Sequence, residues 1–306
     1  MITEKTESIV KLGQDLVELK KKRLDRTSAN NKTNPLEPIV INDINCIANH
    51  EIEQIVSKYD EHGFVIYEIN EKVDGDQLVY NIARAINLDD PYVPDHYKNH
   101  STMYKNNKLN VISSGNVNNH KAFRGGNQQD LHSDGTVHEI GFIKTTILFC
   151  QSSATKGGES IIFNTIDAFY ELLEVDLEAA IAMLHPRSLK RTADIGFIES
   201  HIGPAFAIEN DEIITRFTLD HTADWTYGFE NIPNLKRAYE FLSSRAKEGS
   251  KQYMKFQLKD KQGIIMANDK IAHGRTAFIE SEGAKRKLLR GLYLKRPQLN
   301  KGKKTN

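Results

Sequence analysis

LHSDGTVHEIGFIKTTILFCQSSATKGGESIIFN, residues 131–164, decides how this chain is read. It holds a β-branched and aromatic run, IGFIKTTILFC (140–150), a Ser- and Gly-rich connection, and a second run, ESIIFN (159–164). Such residues suit a pleated, half-buried surface, and paired glycines mark a turn, so the stretch predicts two strands. The pattern recurs in AFAIE (205–209), EIITRFTL (212–219), YMKFQL (253–258), QGIIMAN (262–268) and RKLLRGLYLKR (286–296). Many short strands with turn signals predict a closed or double-sheet antiparallel barrel. Helical spacing interrupts them at TIDAFYELLEVDLEAAIAML (165–184) and PNLKRAYEFLSSRAKEG (233–249).

Upstream, NHEIEQIVSKYDEHG (49–63) reads as an amphipathic helix stopped by Gly63, followed at once by the strand FVIYEI (64–69). DGDQLVYNIARAINL (74–88) reads as a helix capped by Asp74 or Asp76. Residues 4–23 have helical spacing, and SANNKTNPLEP (28–38) reads as a linker, so the expectation is a helical extension and linker over 1–35 and one domain over 36–306. Residues 90–130 lack periodicity, and so long a loop leading into a chemical motif is expected to be functional.

Lys plus Arg and Asp plus Glu both total 41, which argues against a nucleic-acid or membrane-surface protein. No stretch reaches the roughly 18 apolar residues of a membrane helix. Two cysteines, Cys46 and Cys150, make no disulfide framework. The expected setting is reducing and cytoplasmic, with homo-oligomerisation left open.

The chemistry begins at LHSDG. Residues two apart on a strand share a face, so His132 and Asp134 project together and Ser133 turns away. One further ligand from a distant strand completes a facial set of two His and one carboxylate, which suits Fe(II) and leaves three positions open. GIIMANDKIAHGRTAF (263–278) runs from an apolar strand through a turn to His273, the candidate third ligand. Further on, Arg286 and Arg290 are four apart, an even spacing that puts two guanidinium groups on one strand face; Arg is well shaped to hold a carboxylate. Each motif alone also admits a plainer reading: a capping Asp beside a surface His, a turn His, a solvated basic edge.

LHSDG, KGGESIIFNT, NDKIAHGRTAF and KRKLLR, in that order and spacing, resemble the taurine/2-oxoglutarate dioxygenase superfamily, and its clavaminate-synthase-like branch most closely. The resemblance extends with gaps over roughly residues 60–296. It implies a mainly β, α+β fold with peripheral helices around a double-stranded β-helix, the jelly roll. It implies Fe(II) held by His132, Asp134 and His273, which makes these the catalytic centre. It implies 2-oxoglutarate gripped by Arg286, with Ser160 assisting and Arg290 touching the cosubstrate or a substrate anion. The implied reaction consumes O2 and 2-oxoglutarate and releases succinate and CO2. The presence of Asp134 argues against halogenation and leaves hydroxylation, desaturation and cyclisation open. A jelly-roll hydrolase or isomerase of another metal would not need the paired arginines.

The substrate is less legible. In RFTLDHTADW (216–225), Asp220 and then Asp224 are the candidates for holding a cationic group, against a plain role in turns. Asn110, Ser113 and Asn116 are candidate polar contacts, Phe123 and Trp225 candidate walls, and His120, His138 and His221 are read as structural. The expected substrate is a small, polar, amino-acid-like molecule, free or within a natural-product intermediate.

Overall fold

The computed structural model describes residues 11–23, 33–71, 74–94, 108–113, 126–194, 197–281 and 285–299. The β-branched runs assemble into two main sheets. The larger has six strands: β1 (Ile39–Ile41), β2 (Phe64–Ile69), β3 (Asn110–Ser113), β5 (Thr145–Ser152), β12 (Gln262–Ala267) and β14 (Lys287–Tyr293). Their spatial order is β1-β2-β12-β5-β14-β3, antiparallel except where β1 pairs with β2. The smaller orders β11 (Tyr253–Phe256), β6 (Ser160–Phe163), β13 (Ala272–Arg275) and β4 (Gln129–His132), all antiparallel. Beside them, β7 (Leu189–Asp194) pairs with β8 (Ile198–Gly203), and β9 (Phe206–Glu209) forms a hairpin with β10 (Glu212–Thr215). The architecture is a strand-rich mixture of α and β.

The strict two-residue period of side chains sorts each strand between two cores. One core, containing Ile66, Cys150, Ile162, Ile264, Met266 and Leu288, draws on both main sheets and lies between them. The outer face of the large sheet, including Tyr67, Ile147, Phe149 and Leu289, packs on helices α2 (Asn49–His62) and α3 (Gly75–Ala85). The outer face of the small sheet, with Leu131, Ile161, Phe163 and Ala272, packs on α4 (Thr165–Val175), α5 (Leu177–Met183) and α6 (Leu235–Arg245). Leu16 and Leu19 of helix α1, described over 11–23, are buried in that same outer core.

Helix ends follow local chemistry. Gly63 ends α2 at φ 78°, a left-handed conformation, and its N–H donates to Tyr59 O at 2.9 Å. Of the two caps expected for α3, Asp74 does the work, accepting from Asp76 N at 3.0 Å. The single helix expected over 165–184 is two. Asp176 adopts φ −152° and ψ 83°, ends α4 and caps α5 by accepting from Ala179 N at 3.1 Å. An Asp side chain that satisfies the next helix's free N–H groups competes with helix continuation. Cys46 is exposed and Cys150 buried, both free thiols, and burial pushes the Cys150 thiol up to about 12. Among the described residues no helix is long and apolar enough to cross a membrane.

Gly263 on β12 tests this packing. The Tyr67 ring lies across it, and a Cβ added there would fall 2.1 Å from Tyr67 Cζ. Gly263→Ala should destabilise the protein by about 1–3 kcal/mol, as overpacking does. A lowered thermal midpoint is expected; an unchanged one would mean that both the Tyr67 ring and the Leu148 carbonyl, 2.5 Å from that Cβ, give way freely.

Candidate metal centre and active site

Antiparallel pairing of β13 with β4 places His273 directly opposite His132. Both imidazoles point between the two main sheets, since their neighbours Leu131 and Ala272 point into the outer core. The rings lie 4.5 Å apart between centroids. His132 Nδ1 is 2.8 Å from Asp130 O. A carbonyl only accepts, so Nδ1 carries the proton and Nε2 keeps its lone pair for a metal. His273 Nε2 lies 3.7 Å from Asp134 Oδ2. Burial foremost, with His132 nearby, pushes the His273 imidazole down to about 3, which keeps it neutral.

Asp134 lies two residues beyond His132, past the end of β4, and its backbone is clamped by Asn268. Asp134 N donates to Asn268 Oδ1 at 2.7 Å, and Asn268 Nδ2 donates to Asp134 O at 3.1 Å and to Ile143 O at 3.0 Å. The carboxylate accepts from Thr146 Oγ1 and from Arg290 Nη1, each at 2.8 Å. Burial alone would raise the Asp134 carboxyl, but Arg290, His273, His132 and Thr146 together hold it well below the usual range. One ligand atom from each of His132, Asp134 and His273 lies within 4.8 Å of the others. Two imidazoles and an ionised carboxylate so gathered have the chemistry of an Fe(II) site.

Arg286 precedes β14 and is 7% exposed. Its Cζ sits 5.3 Å from the Phe278 ring centroid, and Arg275 Cζ sits 4.5 Å from the same ring. Burial pushes both guanidinium groups down, Arg275 to about 10. Ser160 begins β6 as the cross-strand partner of Arg275. Sequence reading passed over Arg275, although it lies two residues beyond His273 on a strand, the spacing that shares a face. Arg286 stands one residue before β14; the register shift between Lys287 and Leu288 falls on β5, which skips Gln151, while β14 pairs with β3 without a break, so Leu288 and Arg290 both face between the sheets. The structure places Arg290 on Asp134.

Asp220 accepts from Thr222 N at 2.9 Å and Thr222 Oγ1 at 2.6 Å. Burial would raise its carboxyl, but His132, Arg191 and Thr222 hold it below the ordinary range. Arg191, 1% exposed, donates to Thr222 Oγ1, to Ser133 O at 3.0 Å and to Thr136 Oγ1 at 3.3 Å. It ties the segment carrying Asp134 to the segment carrying Asp220, a role with no signal in the sequence. Asp224 lies farther out and caps the one-turn helix Thr226–Phe229, accepting from Thr226 Oγ1 at 2.6 Å and Tyr227 N at 3.2 Å. Trp225 belongs to the outer core, with Nε1 donating to Thr218 O at 2.8 Å. His138 packs against Tyr92 and Phe142, and His221 is exposed. Asn116, His120 and Phe123 lie outside the described residues.

The taurine catabolism dioxygenase TauD, TfdA family model matches residues 32–293. A uridine-5′-phosphate dioxygenase of Amycolatopsis sp. is 33% identical over 254 residues, 82% of this chain and 92% of that protein. A second one, of Streptomyces sp., is 31% identical over 221 residues, 71% of this chain and 78% of its own. The structure of an asparagine oxygenase in complex with Fe(II), 3-hydroxyasparagine and succinate superposes with a TM-score of 0.56 at 13% identity, covering 92% of this chain and 91% of that one.

Asn268→Ala would leave the Asp134 N–H and C=O buried without their side-chain partner. Fe(II) affinity should fall roughly 10- to 100-fold, the usual cost of losing support behind a metal ligand. Anaerobic metal titration measures this; an unchanged affinity would show that Asp134 is held without the clamp.

Proposed function

Because the chain belongs to the TauD/TfdA dioxygenase family, we propose that His132, Asp134 and His273 hold its Fe(II) and that Arg286, assisted by Ser160, anchors the far carboxylate of 2-oxoglutarate. We propose further that its substrate is a 5′-phosphorylated pyrimidine nucleoside of the uridine-5′-phosphate class. The chain is an Fe(II)- and 2-oxoglutarate-dependent dioxygenase. The site assignment rests on one observation: two imidazoles and a carboxylate from separate segments converge between the sheets. The facing antiparallel sheets are read as the family's double-stranded β-helix, with residues 36–306 one domain and 1–35 a helical extension.

The substrate reading replaces the amino-acid-like expectation. Its support is the relative of 33% identity spanning 82% of the chain. Charge agrees with it. Arg191, Arg275, Arg286 and Arg290 are all buried around the centre, against the carboxylates of Asp134 and Asp220. Buried cations are costly unless anions meet them, and a dicarboxylate together with a phosphate ester supplies such anions. Asp220, braced by Thr222 beside Arg191, is on this reading a support for the loop rather than a holder of a cation.

When bound, Fe(II) with 2-oxoglutarate and O2 supplies oxidation of an unactivated C–H bond, with release of succinate and CO2. The protein's own contribution is placement. Asp130 O fixes the His132 tautomer, Asn268 fixes the Asp134 backbone, and Thr146 and Arg290 orient its carboxylate. Burial keeps His273 unprotonated and ready to donate its lone pair. The Phe278 ring supports Arg275 and Arg286 on the same side of β13 and β14.

Succinate formation from 2-oxoglutarate under Fe(II), ascorbate and air should rise several-fold on adding uridine-5′-phosphate. No rise, where other small molecules give one, would refute the substrate class while leaving the metal site standing. Arg286→Ala should raise the KM for 2-oxoglutarate roughly 10- to 100-fold, as expected when a charged hydrogen-bond partner is removed, with Fe(II) binding intact. An unchanged cosubstrate dependence would place the anchor elsewhere.

A further inference from the structure

We propose that Asn110 is a specificity-determining residue whose side-chain amide reads a neighbouring donor and acceptor on the substrate; this rests on the nucleotide reading of the same site. Asn110 is 0% exposed, yet neither its Oδ1 nor its Nδ2 has a hydrogen-bond partner. Buried amides are satisfied in the great majority of cases, and one that is not points to a group that arrives later.

Its direction follows from the pleat. β3 pairs antiparallel with β14, with Val111 opposite Leu289, Ile112 opposite Leu288 and Asn110 opposite Arg290. Leu289 belongs to the outer core and Val111 packs against it, whereas Leu288 and Ile112 pack in the core between the sheets. Directly opposed residues share a face, so Asn110 points inward with Arg290. The Arg290 guanidinium reaches Asp134. Asn110 therefore stands one strand, about 5 Å, beyond the arginine that touches the metal-binding carboxylate. Along this row of the sheet, Leu148, Arg290 and Asn110 lie side by side, and Leu148 also packs in the core between the sheets.

A primary amide presents one donor edge and one acceptor side by side. Its complement is a group offering an acceptor and a donor at the same spacing. On a uridine phosphate two groups qualify: the imide edge of the base, with N3–H beside a carbonyl, and the vicinal hydroxyls of the ribose. Either would fill both vacant positions of Asn110 at once. The aliphatic neighbour Leu148 offers nothing that competes. Selectivity would then come from the penalty for leaving this amide unpaired when the wrong molecule enters, the mode in which a buried polar group discriminates most strongly.

The test compares the wild-type protein with Asn110→Ala and Asn110→Leu. Uridine-5′-phosphate, its N3-methyl derivative and its 2′-deoxy derivative are the probes. KM from succinate release is measured alongside ligand-induced shifts of the thermal midpoint in the absence of oxygen. Wild type should disfavour at least one derivative. Both variants should raise the KM for uridine-5′-phosphate roughly 10- to 100-fold and lose that discrimination. Without ligand they should melt at or above the wild-type temperature, because they remove an unsatisfied buried amide. The derivative whose penalty disappears identifies the group that Asn110 reads. Retained discrimination with an unchanged KM, or a lowered midpoint as the sole effect, would overturn the proposal. Failure of uridine-5′-phosphate to shift the wild-type midpoint would instead overturn the nucleotide reading, and this inference with it.

Discussion

The centre depends on a single register. His273 opposes His132 because β13 and β4 pair in one alignment. A slip of one residue would turn His273 into the outer core and bring Ala272 to the centre, since strand side chains alternate strictly. The register is held by what lies on the other face. Leu131, Ile161, Phe163 and Ala272 are all buried against helices α4, α5 and α6. Burial of that apolar face drives folding, and the two imidazoles are its consequence on the reverse side.

The carboxylate is held differently. Asp134 lies beyond the strand end, where no ladder fixes it. Asn268 takes the place of a neighbouring strand by both donating to and accepting from its backbone. The opposite sheet contributes Thr146 and Arg290 to the carboxylate itself. The ligand set therefore spans both sheets, two imidazoles from one and the orientation of the acid from the other. The surroundings are rich in buried guanidinium groups, each lowered by desolvation where a shift is resolved. Asp134 and Asp220 are buried beside two of the arginines, Arg290 and Arg191, and the proposal of an anionic substrate rests on this balance of charge.

How much could be read in advance varied with the kind of signal. QGIIMAN and KTTILFC were legible as strands because they are central and apolar, and β12 is buried along its whole length. LKRTAD of β7 was not, because its inward positions are Leu189 and Arg191, and a buried arginine mimics a solvent-facing one in sequence. IESHIG of β8 was not, because it is largely exposed and shows little alternation. β3 lay in a stretch of Asn, Ser and Gly whose composition reads as loop. The break at Asp176 was hidden because apolar residues continue at helical spacing on both sides of it.

By itself the sequence determined the ligand types and their partners: an imidazole and an acid two apart in LHSD, an imidazole in AHGR, and basic residues after it. Those are local matters, settled by residue chemistry and by the period of an extended chain. Only the tertiary structure decided that Arg290 lies on Asp134, that Asn268 clamps the acid's backbone, that Arg191 joins two loops and that Asn110 faces inward unpaired. Each depends on contacts between residues 31 or more apart in the chain, or on which face of a sheet a strand presents. Such pairings are set by the packing of whole layers, which no local pattern encodes.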